Sequence, residues 1–191
     1  MPFVHMIRHG KPRSGWGDAG AEPDPGLDEE GWAQARAAAD SLLALPVGLR
    51  PTGVATSPLQ RCRDTAEPLA QRLGLTPLVE PAVAEIPTPA ALTAAQRPGW
   101  LKAAFEGRWA DIPGDLDYGR WAQDVAAAAA LHPGVAIFSH FVAINAAVSV
   151  ACNDARVRQF EPGHASITTF EIVEGRLVLV EAGKTAQTRI L

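Results

Sequence analysis

The chain has 191 residues, 47% of them hydrophobic, which suits a single domain over 1–191 with a sizeable core. A formal net charge of −4, with no basic patch, argues against a nucleic-acid partner held by bulk electrostatics. No apolar run is long enough to span a bilayer, no basic-then-apolar leader opens the chain, and Cys62 and Cys152 suit neither a disulfide framework nor a metal cluster, so a soluble cytoplasmic protein with free thiols is expected.

The first element is a buried strand, Phe3 to Ile7, which runs into Arg8-His9-Gly10. A histidine at the carboxyl end of a strand stands where open α/β sheets place ligands and catalytic groups. Unprotonated imidazole is a good nucleophile, and the neighbouring guanidinium offers a fork of donors for phosphate or carboxylate. By itself the tripeptide also reads as a strand-end histidine closed by a turn glycine. His5, inside the strand, reads as a core or sheet-face residue.

A Gly/Pro-rich loop follows, Lys11 to Gly26, in which Lys11 and Arg13 could extend a positive pocket. A helix then begins at Asp28, whose side chain can cap it, with Glu29 and Glu30 in the first turn. Trp32, Ala35, Ala39, Leu42 and Leu43 recur at helical spacing as its core face. The next strand, Gly53 to Thr56, ends in Ser57 as N-cap and Pro58 at the first helical position, which puts Arg61 one turn into a helix. A helix N-terminus attracts anions, and an arginine there strengthens a phosphate site. Leu59, Cys62, Ala66, Leu69 and Leu73 form that helix's buried side, Pro68 should kink or interrupt it, and Gly74 stops it.

After a short strand, Thr76 to Val79, come Glu80 and, in Val83-Ala84-Glu85-Ile86-Pro87, Glu85. Residues from about 87 to 118 break the alternation and carry Trp100, Phe105 and Trp109 among prolines and glycines. Their aromatics either line a pocket or simply pack a small helical excursion onto the core. The alanine run Ala126 to Ala130 is helical and closes at Pro133-Gly134, with His132 near its end. The apolar strand Val135 to Phe138 leads to Ser139-His140, and a helix from Phe141 to Val150 follows with free N–H groups at its start. His164 precedes a terminal hairpin of Ile167 to Val173 and Leu177 to Val180, joined at Glu174-Gly175, that would close one sheet edge.

Arg8-His9-Gly10, Thr56-Ser57-Pro58-Leu59-Gln60-Arg61 with Asp64-Thr65-Ala66, Glu85, and Phe138-Ser139-His140 come in the order found in the histidine phosphatase superfamily, which this chain resembles over nearly its whole length. The resemblance implies an α/β fold of the phosphoglycerate mutase-like kind, a three-layer sandwich with a largely parallel central sheet and helices on both faces. It makes 87–118 the variable cap over the site. It also implies a histidine acid-type phosphatase, a phosphomonoesterase that uses no metal and no cofactor.

In that scheme His9 attacks phosphorus, Arg8, Arg61, His140 and the backbone N–H of Phe141 hold the phosphoryl group, and Glu85 protonates the leaving oxygen. Glu80 is the fallback donor, since the glycine-tryptophan-glutamate-glycine pattern that often follows in the family is missing here. Phe141 stands where glycine usually follows the second histidine, which changes the pocket beside His140. The partner expected is a small phosphorylated metabolite, with neither nucleic acid nor membrane; oligomeric state is open, a homodimer included. Two rival readings are a phosphoglycerate mutase, disfavoured by Lys11-Pro12-Arg13-Ser14-Gly15-Trp16-Gly17 after the first histidine, and a non-catalytic phosphate-binding protein.

Overall fold

Alternate residues of the central strands enter two different cores. In the computed structural model, which describes residues 2–14 and 24–185, Val4 and Met6 of β1 (Phe3–Arg8) pack with Ala55 of β2 (Gly53–Thr56) and Ile137 of β4 (Val135–Ser139). Ile7, Val54, Ala136 and Phe138 of the same strands face the opposite way into a second cluster. Strands buried on both faces read as continuous apolar runs, which is how they are written here.

The sheet has six strands in the order β3-β2-β4-β1-β5-β6, with β3 at Leu78–Val79, β5 at Ile167–Val173 and β6 at Arg176–Glu181. The first four are mutually parallel, while β5 runs antiparallel to β1 and pairs with β6 as the terminal hairpin. Glu174 and Gly175 turn that hairpin with φ of 49° and 74°, the doubly positive geometry that matches strand twist. One face is covered by α1 (Glu29–Ala44) and α2 (Gln60–Leu73), the other by α4 (Tyr118–Ala130) and α5 (Phe141–Ala151) with α3 (Arg97–Phe105) beyond them. The three-layer α/β sandwich expected from the sequence is what forms. Among the described residues no helix is long and apolar enough to cross a membrane.

Several local readings shift. Asp28 caps α1 as expected, accepting the Gly31 N–H at 2.7 Å, but Gly31 and Ala38 are buried in that face while Trp32 and Leu43 are only half-buried. Helix α2 starts at Gln60, not Pro58, with Leu59 as N-cap; the side chain that satisfies its first N–H is the Asp24 carboxylate, 2.9 and 3.0 Å from Gln60 N, because Ser57 is turned toward His140. Pro68 does not end α2: Leu69 and Ala70 beyond it are buried and hold the helix to Leu73 despite the lost N–H. The strand expected over Thr76 to Val79 shortens to its last two residues, and α4 starts within the expected cap segment, at Tyr118, where Asp117 caps it. The 11–26 loop, with Gly15, Trp16 and Gly17, lies partly outside the described residues.

Candidate active site

Strand register gathers the polar groups at one edge. Ile7 pairs with Phe138 and Phe138 with Thr56, so the chain leaves β1, β2 and β4 side by side at His9, Ser57 and His140. Two further bonds tie the exits together, His9 N to Ser139 O at 3.0 Å and Ser57 N to Phe138 O at 2.9 Å. The antiparallel turn of β5 brings its start, and hence the 162–166 loop, to this same edge, where Arg8 Nη1 donates to Pro162 O at 2.8 Å.

The His9 ring is buried, and its Nδ1 lies 2.8 Å from the Gly10 carbonyl. A carbonyl can only accept, so Nδ1 carries the proton and Nε2 keeps its lone pair. The turn that holds this carbonyl is fixed from two sides. Gly10 N–H donates to Thr65 Oγ1 at 2.9 Å, and Gly10 lies so close to the first turn of α1 that a Cβ there would come within 2.7 Å of Gly31 O. Glycine follows His9 because backbone meets backbone.

Arg61, 4% exposed, points its guanidinium at His140, Nη2 to Nδ1 at 3.2 Å, with Asp24 3.9 Å from its other amino group. His140 therefore accepts at Nδ1, carries its proton on Nε2, and donates it to Ser57 Oγ at 2.7 Å. Its ring stands edge-on to His9, centroids 5.4 Å apart, with the buried Cys62 thiol against it. Both nitrogens of His140 are thus held by protein atoms.

Glu85 follows a short 3₁₀ turn, Pro81–Val83, fastened to β4 by Ser139 Oγ donating to Val83 O at 2.7 Å. Its Oε1 accepts the N–H of Ile86 at 3.1 Å and that of Val142, in the first turn of α5, at 3.3 Å. Arg97 of α3 donates to the Ile86 carbonyl at 3.4 Å, and the Arg8 guanidinium lies 5.3 Å from the centre of the Phe141 ring. Arg8 Nε is buried with no hydrogen-bond partner among the described residues.

Charge in this edge is unbalanced toward the positive. Burial, and then the charges of Arg61 and Arg8, hold His9 well below the ordinary histidine range; burial, His9 and Arg61 do the same to His140. His164, its ring 5.8 Å from that of His9, is lowered to about 4 by burial and by Arg8. Arg8 and Arg97 fall to about 10, mainly through burial. Burial raises Glu85 above the usual carboxylic acid value despite nearby arginines. Neutral imidazoles, close guanidiniums and a carboxyl inclined to stay protonated are what a dianion would find complementary.

These groups open onto a cavity of about 550 Å³, lined by Arg8, His9, Arg61, Glu85 and His164 at its inner end and by residues of α3 and α5 above. Of the expected site residues, Arg8, His9, Arg61, Glu85 and Phe141 line it, while His140 lies fully buried behind. Phe141 contributes its ring to the wall. Glu80 does not line the cavity and is paired with His132 at 3.1 Å. Of the cap aromatics only Phe105 reaches the cavity: Trp100 packs on Tyr118, and Trp109 packs on Trp121 with its Nε1 donating to Ser149 Oγ at 2.8 Å. Lys11 lines the cavity but is tied to Asp28 and Glu30, at 3.2 and 2.6 Å. Ser57, Thr65, Arg97 and His164 were not singled out as site residues from sequence. Ser57 and Thr65 carried a signal as members of the segments around Arg61, and His164 as a histidine in a Pro-Gly loop; Arg97 carried none.

A family model described as histidine phosphatase superfamily (branch 1) matches residues 4–185. A search of curated proteins returns no match. Solved structures of the same architecture include phosphoserine phosphatase from Entamoeba histolytica with 3-phosphoglyceric acid, TM-score 0.74 at 21% identity, covering 98% of each chain. A mycobacterial glucosyl-3-phosphoglycerate phosphatase with inorganic phosphate aligns with TM-score 0.72 at 24% identity over 98% of this chain and 100% of that one. Mycobacterial hydrolase 1 aligns with TM-score 0.73 at 23% identity over 97% of this chain and 100% of that one. At these identities the likeness is one of fold.

Proposed function

Because the chain belongs to the histidine phosphatase superfamily (branch 1), we propose that it is a phosphomonoesterase of small phosphorylated metabolites, working through a phosphohistidine on His9 without a metal. The observation that carries this reading is the His9 ring, buried, neutral, proton on Nδ1 and lone pair on Nε2, set beside Arg8 and Arg61 at the end of a cavity.

In the first step Nε2 attacks phosphorus and the bond from phosphorus to the ester oxygen breaks, while Glu85 gives its proton to that oxygen. The Gly10 carbonyl steadies the imidazole as it takes on positive character. Arg8 and Arg61 neutralise charge on the equatorial oxygens, and His140 holds Arg61 in place. In the second step water attacks the phosphohistidine, Glu85 takes a proton from it, and the N–P bond breaks to return neutral His9. Guanidiniums supply the charge compensation that a metal ion often provides in phosphoryl transfer. Two unbridged cysteines support placing the protein in the cytoplasm.

Purified protein should release phosphate from nitrophenyl phosphate in the presence of a chelator, and vanadate, which takes up the five-coordinate geometry of the transition state, should inhibit it. Complete loss on chelation with recovery on adding a divalent ion would overturn the metal-free mechanism.

A further inference from the structure

Beyond its phosphate end the described lining of the cavity is mostly apolar. Leu101 and Phe105 of α3 face Phe141 and Val142 of α5, and Pro12, Pro25 and Pro98 complete the wall with residues that lack a backbone N–H. The apolar surface begins beside Arg8, whose guanidinium lies 5.3 Å from the centre of the Phe141 ring, itself 5.2 Å from the Phe105 ring. Above that point Ser14 contributes the one neutral hydroxyl among the described residues; Lys11 and Lys102 are exposed.

We infer that this wall selects phosphomonoesters whose alcohol is apolar or aromatic over those of polyols, a reading that rests on the phosphatase activity proposed above. Among the described residues beyond the phosphate end, a polyol bound here would exchange the water on several hydroxyls for a mostly hydrocarbon wall, with Ser14 Oγ and the exposed ammoniums of Lys11 and Lys102 in return, and each hydroxyl stripped of its partners lowers affinity. An aliphatic or phenyl body gains instead, because its burial removes apolar surface on both partners from water.

The test compares kcat/KM for 2-phenylethyl phosphate, glycerol 3-phosphate and glucose 6-phosphate, with nitrophenyl phosphate as a general measure of turnover. The phenylethyl ester should be favoured over both polyol esters by about tenfold or more, the size of preference that one or two apolar groups in a pocket confer, and the difference should appear mainly in KM. Equal or better use of the polyol esters by an enzyme that turns over nitrophenyl phosphate would overturn this inference alone. Failure on all four esters would instead overturn the phosphatase reading. Leu101→Gln and Phe105→Ser, at two half-buried positions, should each cut the phenylethyl-to-glycerol ratio about tenfold. Because it is a ratio, it is insensitive to the amount of folded enzyme. An unchanged ratio in both variants would show that the wall does not set the choice.

Discussion

Glu85 hangs from the first turn of α5, its Oε1 accepting the Val142 N–H at 3.3 Å as well as that of Ile86. With one oxygen committed to two donors, the proton belongs on Oε2, and burial keeps it there to a higher pH than an ordinary glutamic acid. Glu85→Gln preserves an acceptor for those N–H groups and removes the acid. Turnover of alkyl phosphates should drop by about a hundred- to ten-thousandfold, the usual worth of general acid catalysis, with nitrophenyl phosphate largely spared because its phenolate leaves unaided. Steady-state rates on the two esters check this; equal losses would assign Glu85 to positioning.

The tautomer of His9 makes a second expectation. His9→Ala should abolish turnover and, in a base-quenched reaction with labelled substrate, should remove the acid-labile, base-stable label that the unaltered enzyme carries. Retention of both label and turnover would place the nucleophile elsewhere.

Ser57 is fully buried and receives the His140 proton at 2.7 Å. In Ser57→Ala the imidazole N–H would be left without its oxygen partner, a loss of about 1–3 kcal/mol in stability, and the ring would no longer present Nδ1 squarely to Arg61. The melting temperature should fall, and the vanadate inhibition constant should rise several-fold. A melting shift with unaltered vanadate affinity would confine Ser57 to a structural part.

Acid should unfold this protein early. Four of its histidines, His5, His9, His140 and His164, are held below the ordinary value of 6.5, by burial first of all. Between that value and their folded values the unfolded chain binds protons that the native state refuses, so stability falls as pH drops below about 6.5. Glu85, raised rather than lowered, works the other way above the ordinary carboxylic acid range, since its folded form keeps a proton that the unfolded chain releases. Melting temperature measured from pH 8 to pH 5 should decline below about 6.5; a flat profile would mean that these imidazoles take up protons in the folded state.

What was legible in the sequence was whatever local chemistry decides. Apolar runs announced β1 and β4, Asp28 announced the start of α1, and strand ends announced Arg8, His9 and His140, because each depends on residues adjacent along the chain. Ser57 was misjudged for the converse reason: a serine before a proline is a good helix cap locally, yet its hydroxyl is claimed by a histidine 83 positions away, and Asp24 takes over the start of α2. Arg97 is invisible for the same cause, since its place near Glu85 exists only once the cap segment has folded back over α5. The burial of His140 behind Arg61, likewise, follows from packing between three strands rather than from any spacing.

The two edges of the sheet have been given different tasks. All the groups gathered around His9 leave from one edge, while the connections at the other, near Pro46 to Arg50, Pro133-Gly134 and the exposed Glu174-Gly175 turn, touch none of them. The hairpin turn is therefore the natural handle for attaching the enzyme to a resin or electrode: tethered there, it would present its open cavity outward, and the length of the antiparallel ribbon would stand between the support and the chemistry.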